Sequence, residues 1–289
     1  MMDARTFTEN LGGCWRNGQG QAPCPVCQPE RRRDQSALSV SEGSGKTLLY
    51  CFKGGCSFID IANASGVDLK TVHIDLAANA ERKARRAEYT AQKLAKARSL
   101  WDYAKPIHGT KAERYLRGRR ITSDLPESLR FVGDIYHQPS TTWGCAMVAN
   151  VEPTGGVHRT FFDKSGKRLA NDEKLMLGPC SGGAVRLSQV AGAPLVVCEG
   201  IETGLSLLSG LLSGPANVWA TLSTSGMRGL TLPVDSGMLT IATDGDHAGT
   251  EAGNKLAMRA TALGWDVSLL PAPDGKDWND VLIEEGRAA

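Results

Sequence analysis

Met238-Leu239-Thr240-Ile241-Ala242-Thr243-Asp244-Gly245-Asp246 is the stretch that decides the fold. An apolar, β-branched run climbs to Asp-Gly-Asp, and Ala248-Gly249 then open a helix-like tail. A continuous apolar run suits a parallel strand buried on both faces. Upstream, Pro194-Leu195-Val196-Val197-Cys198 climbs the same way to Glu199-Gly200. Around these two runs the chain alternates. Strands are expected at 195–198, 217–221, 238–243 and 266–270, and helices at 201–211, 226–230, 248–262 and after Asp277-Trp278-Asn279-Asp280. Such βα alternation predicts a compact parallel sheet with right-handed crossovers. Ligand chemistry in open α/β sheets gathers at the carboxyl ends of the strands. Glu199, Asp244 and Asp246 are therefore expected at one rim, a hard-oxygen site suited to Mg²⁺ and a phosphate-bearing substrate.

Upstream lies a different chemistry. Cys24-Pro25-Val26-Cys27 is followed, 23 residues on, by Cys51-Phe52-Lys53-Gly54-Gly55-Cys56. Two cysteine knuckles separated by a β-hairpin predict a tetrahedral thiolate site for structural Zn²⁺, held by Cys24, Cys27, Cys51 and Cys56. The hairpin strands are expected at Ser36–Val40 and Thr47–Phe52, with a turn at Ser41–Gly45, and a short helix at Phe58–Ser65. Arg31, Arg32 and Arg33 form a basic cluster between the knuckles, suited either to a nucleic-acid backbone or to plain solvation. Tyr50 and Phe52 are expected to pack around the zinc core rather than stack on bases.

Charge is lopsided under a formal net charge of only +2. Glu81 to Arg120 holds 13 Lys/Arg against 4 Asp/Glu, whereas Pro194 to Ala289 holds 5 against 12. A basic half joined to an acidic half fits a polyanion held next to metal ions; a solvated basic helix is the plainer alternative. The Gly- and Pro-free stretch Asn79–Tyr103 reads as a linker helix stopped by Pro106, and Thr110–Arg120 as a second basic helix. Thr142–Val151 and Val157–Phe162 read as strands, and the basic residues after them, Arg159, Arg168 and Lys174 among them, are expected on a sheet facing the acidic rim.

No apolar run approaches the ~20 residues of a membrane span, and the N-terminus carries no apolar signal core. A cytoplasmic protein is expected, with its eight cysteines as metal ligands or buried thiols rather than disulfides. The expected architecture is α/β. A zinc ribbon occupies 1–66, a basic helical linker 67–120, an α+β region 121–190 and an acidic βα domain 191–289.

Together, Val196-Val197-Cys198-Glu199-Gly200, Asp244-Gly245-Asp246-x-Ala248-Gly249 and Gly275-Lys276-Asp277-x-Asn279-Asp280 resemble the Toprim domain of DnaG-type primases, topoisomerases, RecR and some nucleases. The cysteine module resembles the zinc ribbons of primases, and Lys174-Leu175-Met176-Leu177-Gly178-Pro179 is similar to the lysine-bearing segment just ahead of their Toprim domain. The order of parts looks like the compact primases of phages, plasmids and integrated mobile elements. The resemblance implies RNA primer synthesis on single-stranded DNA from ribonucleoside triphosphates, alongside a separate replicative helicase, since no Walker A motif is present. It implies that Glu199, Asp244, Asp246 and Asp277 hold catalytic Mg²⁺ or Mn²⁺, and that Lys174, with Arg159 and Arg168, grips the triphosphate. Glu199 is also the candidate general base, and Asp280 a weaker member of the cluster.

Two departures bear on a second metal position. Toprim primases often carry an Asp four residues after the motif Glu, where this chain has Thr203 with Glu202 one earlier. Their last motif usually pairs two Asp across one residue, where this chain has Asp277 and Asn279. Other superfamily activities remain open: a metal-dependent nuclease, or a RecR-like loader with a non-catalytic Toprim domain. A topoisomerase would need a catalytic Tyr on another domain.

Overall fold

The computed structural model describes residues 3–32, 34–43, 46–66 and 76–288, in two compact units, Met1–Lys83 and Ala84–Ala289.

In the first unit, helix α1 (Ala4–Asn10) is capped by Asp3, whose carboxylate accepts the Thr6 N–H at 2.8 Å. Strands β1 (Cys14–Arg16), β2 (Gln19–Ala22), β3 (Leu38–Gly43) and β4 (Lys46–Cys51) form one antiparallel sheet in sequence order. Helix α2 (Phe58–Ala64) follows, capped by Ser57. The β3–β4 hairpin and α2 form where the sequence predicts them, except that β3 starts two residues later and runs on through Ser41–Gly43, which were expected as turn. The β1–β2 hairpin was not expected; it turns through Asn17 and Gly18, both at positive φ (50° and 78°), the Asn-Gly chemistry of a two-residue hairpin. Phe7, Leu11, Leu38, Val40 and Ile61 form the core with Cys24 and Cys51.

Helix α3 (Leu76–Tyr103) carries the chain into the second unit. There β5 (Lys105–Pro106), helix α4 (Lys111–Gly118), β6 (Leu129–His137), β7 (Thr142–Val151), β8 (Gly156–Phe162) and β9 (Lys174–Leu177) follow, and the strands pair antiparallel in sequence order. Ala97, Leu100 and Trp101 of α3 cover one face of this sheet, against Val148, Val157 and Phe161. The unexpected β6 contains an irregularity between Val132 and Ile135, which breaks its period of two. Of the predicted linker, residues 67–75 lie outside the described residues.

The second sheet begins with β10 (Val185–Arg186) and continues through β11 (Leu195–Cys198), helix α5 (Ile201–Ser206), β12 (Asn217–Ala220), α6 (Thr224–Gly229), β13 (Met238–Thr243), α7 (His247–Ala262), β14 (Asp266–Pro271) and α8 (Trp278–Ala288). Its order is β10-β12-β11-β13-β14. β11 to β14 are parallel, as expected; β10 adds an antiparallel edge. The helix expected over 201–211 is α-helical only to Ser206, then becomes one π-helical turn with Gly210 at φ 118°, a conformation glycine adopts at little cost. One core joins both sheets, packing Met147 and Phe162 with Val196, Leu205 and Val218. Among the described residues no helix is long and apolar enough to cross a membrane.

Candidate functional site

The first parallel strand, β11, is central. β12 lies on one side of it and β13 on the other, so the chain reverses its direction of winding between β12 and β13. That is a topological switch point, where the carboxyl ends of neighbouring strands open a crevice. Cys198 pairs with Ala242, which sets Glu199 level with Thr243 and one residue below Asp244.

The loop carrying Asp277 is fastened to the same place. Gly245 donates its N–H to Lys276 O (2.8 Å), and Gly275 donates to Gly245 O (2.7 Å). A Cβ on Gly245 would lie 2.0 Å from Pro273 O, so only glycine lets this loop approach. Asp246 caps α7, accepting the Gly249 N–H at 2.6 Å. Asp277 and Asp280 exchange reciprocal bonds, Asp280 N–H to Asp277 Oδ1 (2.8 Å) and Asp277 N–H to Asp280 Oδ2 (3.1 Å), a capping box at the start of α8.

The electrostatics follow from the crowding. Burial, then the charges of Glu199, Asp277 and Asp246, push the Asp244 carboxyl up to about 6. Burial and Asp246 raise Glu199. Asp244 Oδ1 is buried without a hydrogen-bond partner. An orphaned carboxylate oxygen among like charges fits a divalent cation. The set is open rather than caged: among the described residues only the four cysteines bring their ligand atoms within 4.8 Å of one another.

A raised acid destabilises the folded state once ionised. In metal-free protein the stability associated with Asp244 is fully present below about pH 4 and is lost as pH rises through about 6. Asp244→Asn is therefore expected to stabilise the protein at pH 7.5 by about 1–2 kcal/mol, a figure reduced for partial solvent exposure, and to change nothing at pH 4. Thermal melts in chelator at both pH values check this; equal effects at both would contradict it.

The sheet β5–β9 sorts the basic candidates by face. Lys174 pairs across with Thr160, and Arg159 with Leu175. Side chains opposite one another share a face, so Arg159 lies with Leu175 and Phe161 on the α3 side, its guanidinium 5.3 Å from the Phe161 ring. The expectation that Arg159 faces the acidic rim is thus corrected by one step of strand periodicity. Lys174 emerges on the other face, where its charge acts on Asp244 and Glu199. Arg168 pairs with Glu173 at 3.9 Å, and its charge reaches Tyr115.

Thr203 and Asn279, the two departures, are both buried. Asn279 donates to Arg119 O (3.0 Å) and Ser206 Oγ (2.8 Å), so it fastens α8 to α5 and to the end of α4. Sequence reasoning gave no site role to Tyr115, His158 or Glu202, which gather around Lys174; Glu202 stood out only as a carboxylate one place before Thr203.

In the first unit, the four cysteine sulfurs lie within 4.8 Å of one another. The Cys27–Cys51 separation of 3.5 Å is far beyond a disulfide bond and close to the ~3.8 Å edge of a tetrahedral zinc–thiolate site. Burial would raise the Cys51 thiol, but backbone N–H groups of Gly54, Cys56 and Lys53 bring it down to about 6, favouring the thiolate that binds metal. Buried Gln28 braces the first knuckle, its Oε1 accepting from Cys24 N (3.2 Å) and Ala37 N (3.0 Å). The four thiolates fit structural zinc. Arg31 and Arg32 are exposed, and Arg33 lies outside the described residues. Tyr50 on edge strand β4 and Phe52 just past its end, both expected to pack, stand 63% and 70% exposed, their rings 4.8 Å apart. Alternation along β4 turns them away from the core that holds Cys51.

Residues 194–288 match the Toprim domain. This chain carries a Toprim domain. Residues 91–187, ahead of it, match a domain of unknown function (DUF7146). The comparison with curated proteins found no match. Among solved structures, the zinc-binding and RNA polymerase domains of the Aquifex aeolicus primase are similar at 15% identity, covering 100% of this chain and 81% of that one, TM-score 0.43. A DNA primase domain from Pseudomonas aeruginosa is similar at 15% identity over 68% of this chain and 77% of that one, TM-score 0.42. The RNA polymerase domain of Mycobacterium tuberculosis primase is similar at 15% over 68% and 81%, TM-score 0.39. The matched residues 194–288 include Glu199, Asp244, Asp246 and Asp277, whose charges crowd one another at the carboxyl ends of β11 and β13.

Proposed function

We propose that the chain is a DNA primase that joins ribonucleoside triphosphates into short RNA primers on single-stranded DNA, in a phage, plasmid or mobile-element setting and beside a separate replicative helicase. The observation that carries this reading is the convergence of Glu199, Asp244, Asp246 and Asp277 on the Toprim switch point, with Lys174 in the same crevice. Mg²⁺ or Mn²⁺ held by these carboxylates supplies charge neutralisation and alignment of the attacking hydroxyl with the α-phosphate. Lys174 attracts the triphosphate as a compact point charge; Arg168 is the second candidate. Glu199, whose carboxyl burial has raised, is suited to accept a proton.

The test is incubation with single-stranded DNA, four ribonucleotides and Mg²⁺ or Mn²⁺. Primers are expected. Shortened DNA would instead mean a nuclease, and a shifted band without chemistry a loader.

Template grip belongs, in this reading, to the zinc-ribbon-like unit. Exposed Tyr50 and Phe52 offer stacking faces, and Arg31 and Arg32, with Arg33, offer phosphate contacts. Replacing the three arginines by Ala is expected to weaken template binding and flatten its salt dependence by about one unit of log–log slope per lost contact. Titrations at two salt concentrations check it; an unchanged slope would remove the arginines from the interface.

A further inference from the structure

Glu202 is a carboxylate buried to 8% side-chain exposure, in the first turn of α5, three residues beyond the rim's Glu199. Its two oxygens have different partners. Oε2 lies 3.4 Å from the Lys174 ammonium, and Oε1 accepts the Tyr115 hydroxyl at 3.2 Å. Tyr115 is in turn set edge-on to Phe162 (5.1 Å), with the Arg119 guanidinium 5.9 Å from its ring. Burial, with Glu202 beside it, pushes the Tyr115 phenol up to about 12, so the hydroxyl stays a donor. Buried His158 is held down to about 4 by desolvation, so it stays neutral and does not compete with Lys174 for the carboxylate. Burial alone would raise Glu202; Lys174 first, then its own backbone N–H and Arg119, outweigh that and hold it below the usual carboxylate range.

Lys174 needs such an anchor. It projects from a four-residue strand on a flexible stem whose ammonium would otherwise sweep a wide volume. From the first turn of α5, Glu202 reaches across to the lysine.

We propose that Glu202 is a positioning residue: its buried carboxylate, secured by the Tyr115 hydroxyl, fixes the Lys174 ammonium in the crevice so that an incoming triphosphate meets it already placed. This rests on the primase reading for the identity of the ligand. Placement of a charged contact before binding lowers the ordering cost of the complex.

Three measurements on the full chain test it: equilibrium binding of ATP with Mg²⁺, KM and kcat for primer synthesis, and the rate at which Lys174 is acylated by a soluble amine reagent, read by mass spectrometry. Glu202→Gln is expected to raise the ATP Kd and KM about tenfold, with kcat changing less than about threefold, and to speed acylation because the ammonium has lost its anion. Lys174→Ala combined with Glu202→Gln is expected to bind ATP no more weakly than Lys174→Ala alone, since one residue acts through the other. Tyr115→Phe, which keeps the ring packing, is expected to shift Kd and acylation the same way by about threefold, and serves where Glu202→Gln fails to fold. Multiplying losses in the double variant, or unchanged Kd and acylation in both Glu202→Gln and Tyr115→Phe, would overturn the proposal. A wild type that makes no primers, but binds ATP with this dependence on Glu202, would sink the primase reading and leave Glu202 in its role. A wild type that binds no ATP overturns both.

Discussion

Asp244→Asn is expected to lower primer synthesis by roughly 10²-fold or more, because alignment and charge neutralisation by a metal supply several kcal/mol of barrier lowering. Asp244 is the rim residue with the strongest case for that duty. It follows a strand whose last three residues are buried, its Oδ1 has no protein partner, and three other carboxylates act on it. The replacement removes one member of a repelling cluster, so the fold is expected to survive. The comparison that isolates chemistry from folding is primer yield against melting temperature, for Asp244→Asn and Asp246→Asn. Asn is as good an N-cap as Asp, so Asp246→Asn keeps the α7 cap and loses only the charge. Wild-type primer yield in Asp244→Asn would dismiss this residue from the site.

Loss of zinc is expected to have the larger structural effect. Purified protein should hold about one zinc per chain, and Cys51→Ser should lose it. Cys24 and Cys51 are 0% and 3% exposed within a core of only a few apolar side chains, so the metal stands where a larger domain would have hydrophobic mass. Structural zinc contributes on the order of 10 kcal/mol of folding energy in small modules. Chelation is therefore expected to unfold residues 3–66 while leaving the Toprim sheet's circular dichroism in place. Full zinc occupancy in a Cys24→Ser/Cys51→Ser variant would reject these ligands.

β11 was legible because both its faces are buried, so it reads as an unbroken apolar run and needs no register to recognise; β13 is buried in the same way over its last three residues, and β12 and β14 were found from the βα spacing around these two. The cysteine knuckles were legible because metal chemistry fixes residue type and local spacing together. What escaped depended on partners distant in sequence. β6 hides behind an irregularity at Gly133-Asp134 that shifts its alternation. The Asn17-Gly18 signal was present in the sequence, but its flanking strands, Cys14–Arg16 and Gln19–Ala22, are short and carry little apolar pattern. Arg159 and Lys174 look alike as basic residues near the Toprim domain; only the β8–β9 register assigns them to opposite faces. Glu202 was visible merely as a carboxylate one place early, since its partners Tyr115 and Lys174 lie 87 and 28 residues away.

Asn279 gives the second unit an order of assembly. Its amide joins residues 160 positions apart, Arg119 to Asn279, and closes on Ser206 as well. Contacts of such long sequence separation form late, because the loop between them must be ordered first. During synthesis, the antiparallel sheet and β11 to β14 all leave the ribosome before the residue that ties α8 across them. Asp277, two residues ahead of Asn279, arrives with that closure. The acidic rim is therefore completed by the same step that locks the unit, so a partly made chain does not carry a finished rim.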